Sequence, residues 1–102
     1  MSFNSFKSLI SVYSDFRNDD DNDAFYTDND RIILNNARSV LTKVYNETLH
    51  KDEESTTKFL EQEIAWAIED HEDAKNKENP IKIAVTQINL ETLLYLDYTL
   101  KM

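Results

Sequence analysis

Residues 79–102, NPIKIAVTQINLETLLYLDYTLKM, give the strongest indication of the architecture. Asn79 is a good N-cap residue, and Pro80 stands at the first helical position, where the N–H that proline lacks would have no partner anyway. The apolar residues that follow lie on nearly every side of the predicted helix: Ile81, Ile83, Ala84, Val85, Ile88, Leu90, Leu93, Leu94, Tyr95, Leu96, Tyr98 and Leu100. Because a helix that is apolar all round must be covered all round, the rest of the chain is expected to supply its walls.

The composition favours helices as those walls. The chain has 102 residues, no Gly and a single Pro, whereas β-hairpins depend on Gly, Asn or Asp at positive φ. A chain of this length can bury one core without a disulfide or a metal, so we expect a single domain over residues 1–102. The lack of Cys excludes disulfides, a thiol nucleophile and zinc held by Cys.

Three further helices are predicted from apolar residues that recur every three or four positions, over residues 3–16, 30–49 and 53–75. The third is expected to bury Phe59, Leu60, Ile64, Trp66, Ala67, Ile68 and Ala74. The last helix covers residues 80–100, although residues 92–100 would also suit a strand if a partner strand existed. Short connectors make neighbouring helices antiparallel, so the predicted fold class is all-α, an antiparallel up-down-up-down four-helix bundle.

The charge of the chain restricts its partners. Its 20 acidic and 11 basic residues give a net charge of −9, which repels a phosphate backbone, so we expect no nucleic acid as a ligand. A basic protein partner, mimicry of nucleic acid and a merely solvated surface are the remaining explanations. We expect no signal peptide, because the first residues, MSFNSFK, show no basic segment followed by an apolar run and a small-residue cleavage site. We expect no membrane insertion, because no apolar stretch reaches the ~20 residues that a bilayer span requires.

The acidic connector between the first two helices matches a calcium loop in part. Ligand positions 1, 3, 5, 9 and 12 of such a loop correspond to Asp19, Asp21, Asp23, Thr27 and Asp30. Ala24, however, stands where the loop needs Gly, and Asp30 is shorter than the usual bidentate Glu. We therefore expect a solvated loop that binds no metal, with Phe25 and Tyr26 packed under the bundle.

Neither His indicates a catalytic or metal site. Glu47 and His50 have the Glu-x-x-His spacing of di-iron bundles, but the second motif is missing because Ile68 stands three residues before His71. His71 lies among carboxylates with no nucleophile placed beside it by the sequence, so a surface imidazole is the simpler interpretation. We expect no catalytic residue, no cofactor and no metal ligand, and therefore no enzyme.

A surplus of apolar residues on the last helix indicates a protein contact. Leu93, Leu96 and Leu100 form one apolar stripe. The other three helices would already be occupied in covering a second stripe of the same helix, formed by Ile81, Val85, Ile88 and Tyr95. Leftover apolar surface marks a protein or membrane contact, and enclosure of the whole helix by its neighbours is the alternative. The residues predicted for this contact combine the surplus with the charged link before the helix: Lys75, Lys77, Leu93, Leu96, Tyr98 and Leu100.

This plan resembles the immunity proteins of pediocin-like bacteriocins, of the enterocin A immunity type. The shared features are a length of about a hundred residues, four antiparallel helices, a first helix shorter than the second, no Cys, and a charged link before the last helix. Residues 33–45, ILNNARSVLTKVY, and residues 59–67, FLEQEIAWA, are similar to the family's second and third helices.

The resemblance implies a cytoplasmic, non-catalytic protein that protects the producer cell. Its partner would be the sugar-transport receptor in the membrane once a bacteriocin has engaged it, and the C-terminal half would carry specificity. The competing interpretation is an acidic inhibitor of the phage type that mimics nucleic acid and binds a basic protein. It would use residues 19–23 and an acidic face made of Glu53, Glu61, Glu69, Asp70 and Asp73.

Overall fold

The computed structural model describes residues 2–15 and 28–102. These residues form four α-helices: α1 (Phe3–Asp15), α2 (Asp28–His50), α3 (Glu53–Asn76) and α4 (Pro80–Lys101). The described residues contain no β-strand, so the all-α prediction is confirmed and residues 92–100 are helical. The acidic connector, with the predicted positions of Phe25 and Tyr26, lies outside the described residues.

Side-chain caps hold the starts of α3 and α4. The Ser55 N–H donates to Asp52 Oδ1 at 2.8 Å, and the Lys82 N–H donates to Asn79 Oδ1 at 3.2 Å. The hydrogen bond from Ser55 holds the pKa of Asp52 below its ordinary value, because it stabilises the ionised carboxylate. As the sequence predicted, Asn79 is the N-cap of α4 and Pro80 is its first residue.

The link between α3 and α4 is a tight turn made without Gly. The Lys77 N–H donates to the Asp73 carbonyl and the Glu78 N–H donates to the Lys75 carbonyl, each at 3.1 Å. Glu78 adopts a φ of 54°, the left-handed conformation that Gly usually supplies after a helix C-terminus. The turn lets α4 begin directly after α3 and pack against it.

α4 lies between α3 and α2. Its largest interface is with α3 and its second largest is with α2, whereas α2 and α3 touch each other only slightly and α1 packs mainly on α2. Polar contacts that cross the α3–α4 interface join Glu61 with Lys101, His71 with Thr86, and Asp73 with Lys82. As residue numbers rise along α3 they fall along α4, so these two helices are antiparallel.

The hydrophobic core draws on all four helices. Its buried members are Phe6 and Ile10 from α1, Val44 from α2, Leu60 and Ala67 from α3, and Leu93, Leu96 and Leu100 from α4. The spacing of the three leucines places them on one side of α4, the side that faces the other helices. α4 therefore contributes more buried leucines to the core than any other described helix.

The far side of α4 is not covered, contrary to the expectation that this helix would be enclosed. Leu94, Tyr95 and Tyr98 are 46%, 51% and 66% exposed. α1 packs mainly on α2 and only slightly on α4, so the described helices leave that side of α4 partly in water. In α3, Trp66 and Ile68 are about half exposed, so the prediction that both are buried is also wrong.

The two sides of α4 can be compared with one substitution made at two leucines. We expect Leu96→Ala to lower the free energy of unfolding by about 2–5 kcal/mol, because Leu96 is fully buried and its truncation leaves a cavity. Leu94→Ala should cost less than about 1 kcal/mol, because its side chain is half in water. Urea unfolding measures both, and equal losses would contradict the assignment of the two sides.

The N-cap of α3 should make stability depend on pH. The pKa of Asp52 is lowered in the folded chain from an ordinary value of 3.8, so its ionised cap stabilises the fold above that value and this contribution is lost as the pH falls through the folded pKa. Asp52→Asn keeps a capping oxygen that does not titrate. Between about pH 5 and pH 2 the wild type should therefore lose stability relative to Asp52→Asn. A difference in urea midpoints that stays constant over this range would contradict the linkage.

Candidate functional site

Three of the residues predicted for the partner contact lie in the core. Leu93, Leu96 and Leu100 are 4%, 0% and 4% exposed, because their side of α4 packs against the other helices. The surplus of apolar surface that the sequence predicted on α4 exists, but these leucines do not form it. The prediction assigned the wrong stripe to the solvent.

Apart from Ile81 in the first turn, the exposed large apolar residues of α4 and its C-cap lie in the last turns. Leu94, Tyr98 and Met102 are spaced four residues apart, so they follow one another along the same face, and Tyr95 lies beside them. All four are between 46% and 66% exposed. We call these residues, Leu94, Tyr95, Tyr98 and Met102, the α4 apolar surface.

A shallow apolar groove adjoins this surface between α2 and α4. It has a volume of about 350 Å³ and is lined by Leu41, Ile88, Glu91, Thr92 and Tyr95. The Thr92 hydroxyl donates to the Ile88 carbonyl at 2.7 Å, so its one donor is not available to a ligand in the groove. The groove therefore extends the α4 apolar surface towards α2.

The lysines predicted for the partner contact are far from Tyr98. Lys75 Nζ lies 3.6 Å from Glu72 Oε1, and Lys77 Nζ lies 3.0 Å from Asp73 Oδ2. The hydrogen bond and the charge of Lys77 hold the pKa of Asp73 below its ordinary value. At 1.5 Å per residue, Tyr98 lies about 27 Å along α4 from its first residue, next to the link. The structure thus does not bring the predicted set together.

A second depression opens on the other side of α4. Because α2 and α3 touch only slightly, a gap remains between them, and α4 forms its floor. It has a volume of about 110 Å³ and is lined by Val40 of α2, by Glu63, Trp66, Ala67 and Asp70 of α3, and by Thr86, Asn89 and Leu93 of α4. We call it the recess.

The lining of the recess is acidic and incompletely paired. The Glu63 side chain is 14% exposed, and its carboxylate accepts from Lys43 Nζ at 2.8 Å. Lys43 also lies 5.9 Å from the centre of the Phe59 ring, within cation–π range. Asn89 Oδ1 is buried and accepts no hydrogen bond from the described residues. An acceptor in this state is unusual, because buried polar groups are normally paired.

His71 makes a polar contact between α3 and α4 beside the recess. Its Nδ1 lies 2.9 Å from the Thr86 hydroxyl oxygen, which is also 2.7 Å from the Lys82 carbonyl and 3.1 Å from the Ile83 carbonyl. Carbonyls only accept, so the hydroxyl proton is donated to them and Thr86 accepts the Nδ1–H of His71. His71 is therefore a partly buried interhelical contact, not the surface imidazole expected from the sequence.

The other motifs considered for metals do not form a site in the described part of the chain. Glu47 pairs with Lys51 at 3.3 Å, and His50 is the exposed last residue of α2. Over residues 2–15 and 28–102, no three His, Asp or Glu side chains are grouped as metal ligands would be. The calcium-like positions 19–27 lie outside those residues.

Within the same described ranges, no helix combines the length and the apolar character needed to cross a bilayer. Comparisons with protein-family models, with characterised proteins and with solved structures gave no match. The similarity to bacteriocin immunity proteins therefore stays a prediction based on the helical plan and the two segments named above.

The unpaired acceptor of the recess should cost stability. A buried carbonyl without a partner costs about 1–3 kcal/mol, so Asn89→Leu, which replaces the amide by an apolar group of similar size, should raise the free energy of unfolding by about 1 kcal/mol. Asn46→Leu on the exposed face of α2 is the matched control and should change it little. A clear loss of stability in Asn89→Leu would show that the amide oxygen is satisfied in solution.

Proposed function

We propose that this chain is a bacteriocin immunity protein of the pediocin-like class, which acts by binding and performs no reaction. The observation that carries the proposal is the α4 apolar surface, because exposed apolar patches mark protein contacts. This surface lies in the C-terminal half, where the resemblance places specificity. The segments that resemble the family, residues 33–45 and 59–67, lie within α2 and α3.

The complete antiparallel up-down-up-down arrangement is part of this proposal. The α3–α4 pair supports it through the contacts described above. For α2 and α3, support comes from Lys43, which lies close to both Glu63 and Phe59. Lys43 precedes the short connector at residues 51–52 by about as many positions as Phe59 and Glu63 follow it, as in a helical hairpin.

The proposed partner is a membrane sugar-transport receptor engaged by a bacteriocin, met from the cytoplasmic side. A surface of two tyrosines, a leucine and a methionine is suited to this role, because aromatic residues and Met are enriched where proteins bind one another. Tyr98 lies at the centre of its stripe, and Leu94 lies one turn before it. We therefore expect these two residues to carry much of the binding energy.

An acidic inhibitor of a basic protein is the second candidate. The observation in its favour is that many lysines of the α3 region are already paired with carboxylates, including Lys58 with Glu54, Lys75 with Glu72 and Lys77 with Asp73. The excess acidic charge, with Glu69 and Asp70 exposed on α3, is thus left to attract a cationic partner. Such attraction accelerates association and weakens with salt.

Protection of a bacteriocin-sensitive strain tests the proposal. Expression of the wild type should protect against at least one pediocin-like peptide, and the double variant Leu94→Asp and Tyr98→Asp should reduce that protection by more than about tenfold. Because both side chains are exposed, the variant should keep its cooperative melt. The control, Leu49→Asp with Ile68→Asp, alters two other exposed apolar residues and should still protect.

Two results would count against this function. If the wild type protects against no member of a broad panel of pediocin-like peptides, the family assignment fails. If both double variants protect equally, the α4 apolar surface is not the contact. Binding to a basic DNA-binding protein that weakens steeply with salt would support the second candidate instead.

A further inference from the structure

The outer side of α4 carries a regular repeat that begins well before the α4 apolar surface. Positions 81, 84, 88, 91, 95, 98 and 102 follow one another in alternating steps of three and four, which keeps their side chains on one side of a helix. They hold Ile81, Ala84, Ile88, Glu91, Tyr95, Tyr98 and Met102. Each of these residues is exposed or partly exposed to solvent. We call these seven residues the outer seam.

A repeat of this kind is typical of a helix that packs against another helix. Residues at alternating steps of three and four insert between the side chains of a facing helix, as in a coiled coil. The inner side of α4 already packs through Leu93, Leu96 and Leu100, so the outer seam is a second side of the same helix with a packing pattern. From Ile88 to Met102 it extends about 21 Å, or about four turns.

The groove between α2 and α4 makes one edge of the outer seam concave. Ile88, Glu91 and Tyr95 belong to the seam and line this groove together with Leu41 of α2. Its volume of about 350 Å³ corresponds to roughly a dozen water molecules at about 30 Å³ each. Whole side chains that project from a helix laid along α4 can therefore enter it.

Glu91 is the only charged residue of the outer seam. Its carboxylate accepts from the Gln87 amide at 3.1 Å and forms no ion pair with another described residue. A partner that covers the seam removes water from this carboxylate, and burial of a charge is costly unless it is paired. The partner must therefore bring a cation to this position.

A second copy of the chain does not meet this requirement. Glu91 stands in the middle of the seven positions, so two α4 helices aligned along their seams bring their Glu91 carboxylates together, whether the helices run parallel or antiparallel. Like charges that face each other oppose such a pair. The net charge of −9 on each chain adds to the repulsion.

We propose that the outer seam receives an amphipathic α-helix of a partner protein, whose apolar residues recur every three or four positions and whose lysine or arginine faces Glu91. A helix laid into an apolar groove is a common mode of recognition, whereas an added strand needs a sheet edge, and the described residues contain no strand. The proposal rests on the proposed function for the choice of contact surface, and it adds the chemistry of the segment that binds there.

Three synthetic peptides test the helix and its charge. The first has about three heptads with leucine at the apolar positions, except for one central lysine, and a glutamine on the opposite face. The second exchanges that lysine and that glutamine, so its composition and net charge are the same. The third is the first with a central proline, which breaks the helix. Each carries a fluorescent label and is kept dilute while the protein is titrated and anisotropy is recorded.

The first peptide should bind saturably, and at least about tenfold more tightly than each of the other two, because only it brings a cation to Glu91 on an intact helix. Equal affinities of the first and second peptides would overturn the proposed charge pair. Equal affinities of the first and third would overturn the proposed helix. A first peptide that does not bind saturably would overturn the proposal as a whole.

Variants locate the peptide on the outer seam. Glu91→Gln should abolish the preference for the first peptide over the second, whereas Glu69→Gln, which removes the same charge from an exposed residue of α3, should keep it. Tyr98→Asp should weaken the first peptide at least about tenfold, and Ile68→Asp, at an exposed apolar residue of α3, should not. Melts check that the variants are folded. If Glu69→Gln abolishes the preference as fully as Glu91→Gln does, the proposal fails.

Sedimentation tests the other occupant. The wild type should be a monomer at neutral pH, and a dimer that Tyr98→Asp dissociates would overturn the proposal in favour of a second copy. The titration and the protection assay fail separately. Protection that depends on Leu94 and Tyr98, without peptide binding, would keep the contact and refute the helical partner. Peptide binding by a chain that protects against no bacteriocin would support the helical partner and refute the immunity function.

Discussion

The burial of Leu93, Leu96 and Leu100 along one side of α4 joins the four helices in one core. α2 and α3 touch each other only slightly, so they are held together through the helix that both of them cover. Each fully buried leucine contributes about 1.5–3 kcal/mol relative to an exposed one. Any change that turned α4 about its axis would therefore expose these side chains and also separate α2 from α3.

This single contact also explains why the molecule has two different faces. α4 packs against both α2 and α3, which leave a gap between them. Side chains of all three helices line this gap, which is the recess. On its other side the last turns of α4 are only partly covered by the described helices, and Leu94, Tyr95 and Tyr98 remain 46–66% exposed. One face is thus small, acidic and polar, and the other is broad and apolar.

Much of the fold follows from local signals that can be recognised in the sequence. The periodic apolar residues of α2, the Asn79-Pro80 start of α4 and the lack of Gly predict four helices with nearly correct ends. These signals do not predict which side of α4 faces the core, because apolar residues occupy nearly every side of this helix and any orientation buries some of them. The decision comes from the packing of α1, which lies mainly on α2 and leaves Leu94 and Tyr98 outside.

The recess could not be predicted, because it depends on a gap between helices that are distant in sequence. One partial signal exists: Glu63, Trp66, Ala67 and Asp70 recur at intervals of three and four, so they share a face of α3. Buried threonines were missed for a different reason. Thr48 and Thr99 are polar, yet each donates its hydroxyl to a carbonyl in the preceding turn, which lets it enter the core without an unpaired donor.

Thiol labelling along α4 tests most directly which side of this helix is buried, because the chain contains no Cys of its own. Four single-cysteine variants are needed: Leu94→Cys, Leu96→Cys, Tyr98→Cys and Leu100→Cys. Cysteines introduced at 94 and 98 should react with a soluble maleimide at the rate of a small free thiol. Those at 96 and 100 should react at least about a hundredfold more slowly, because they become accessible only when the structure opens. Rapid labelling at 96 and 100, or equal rates at all four positions, would contradict the account.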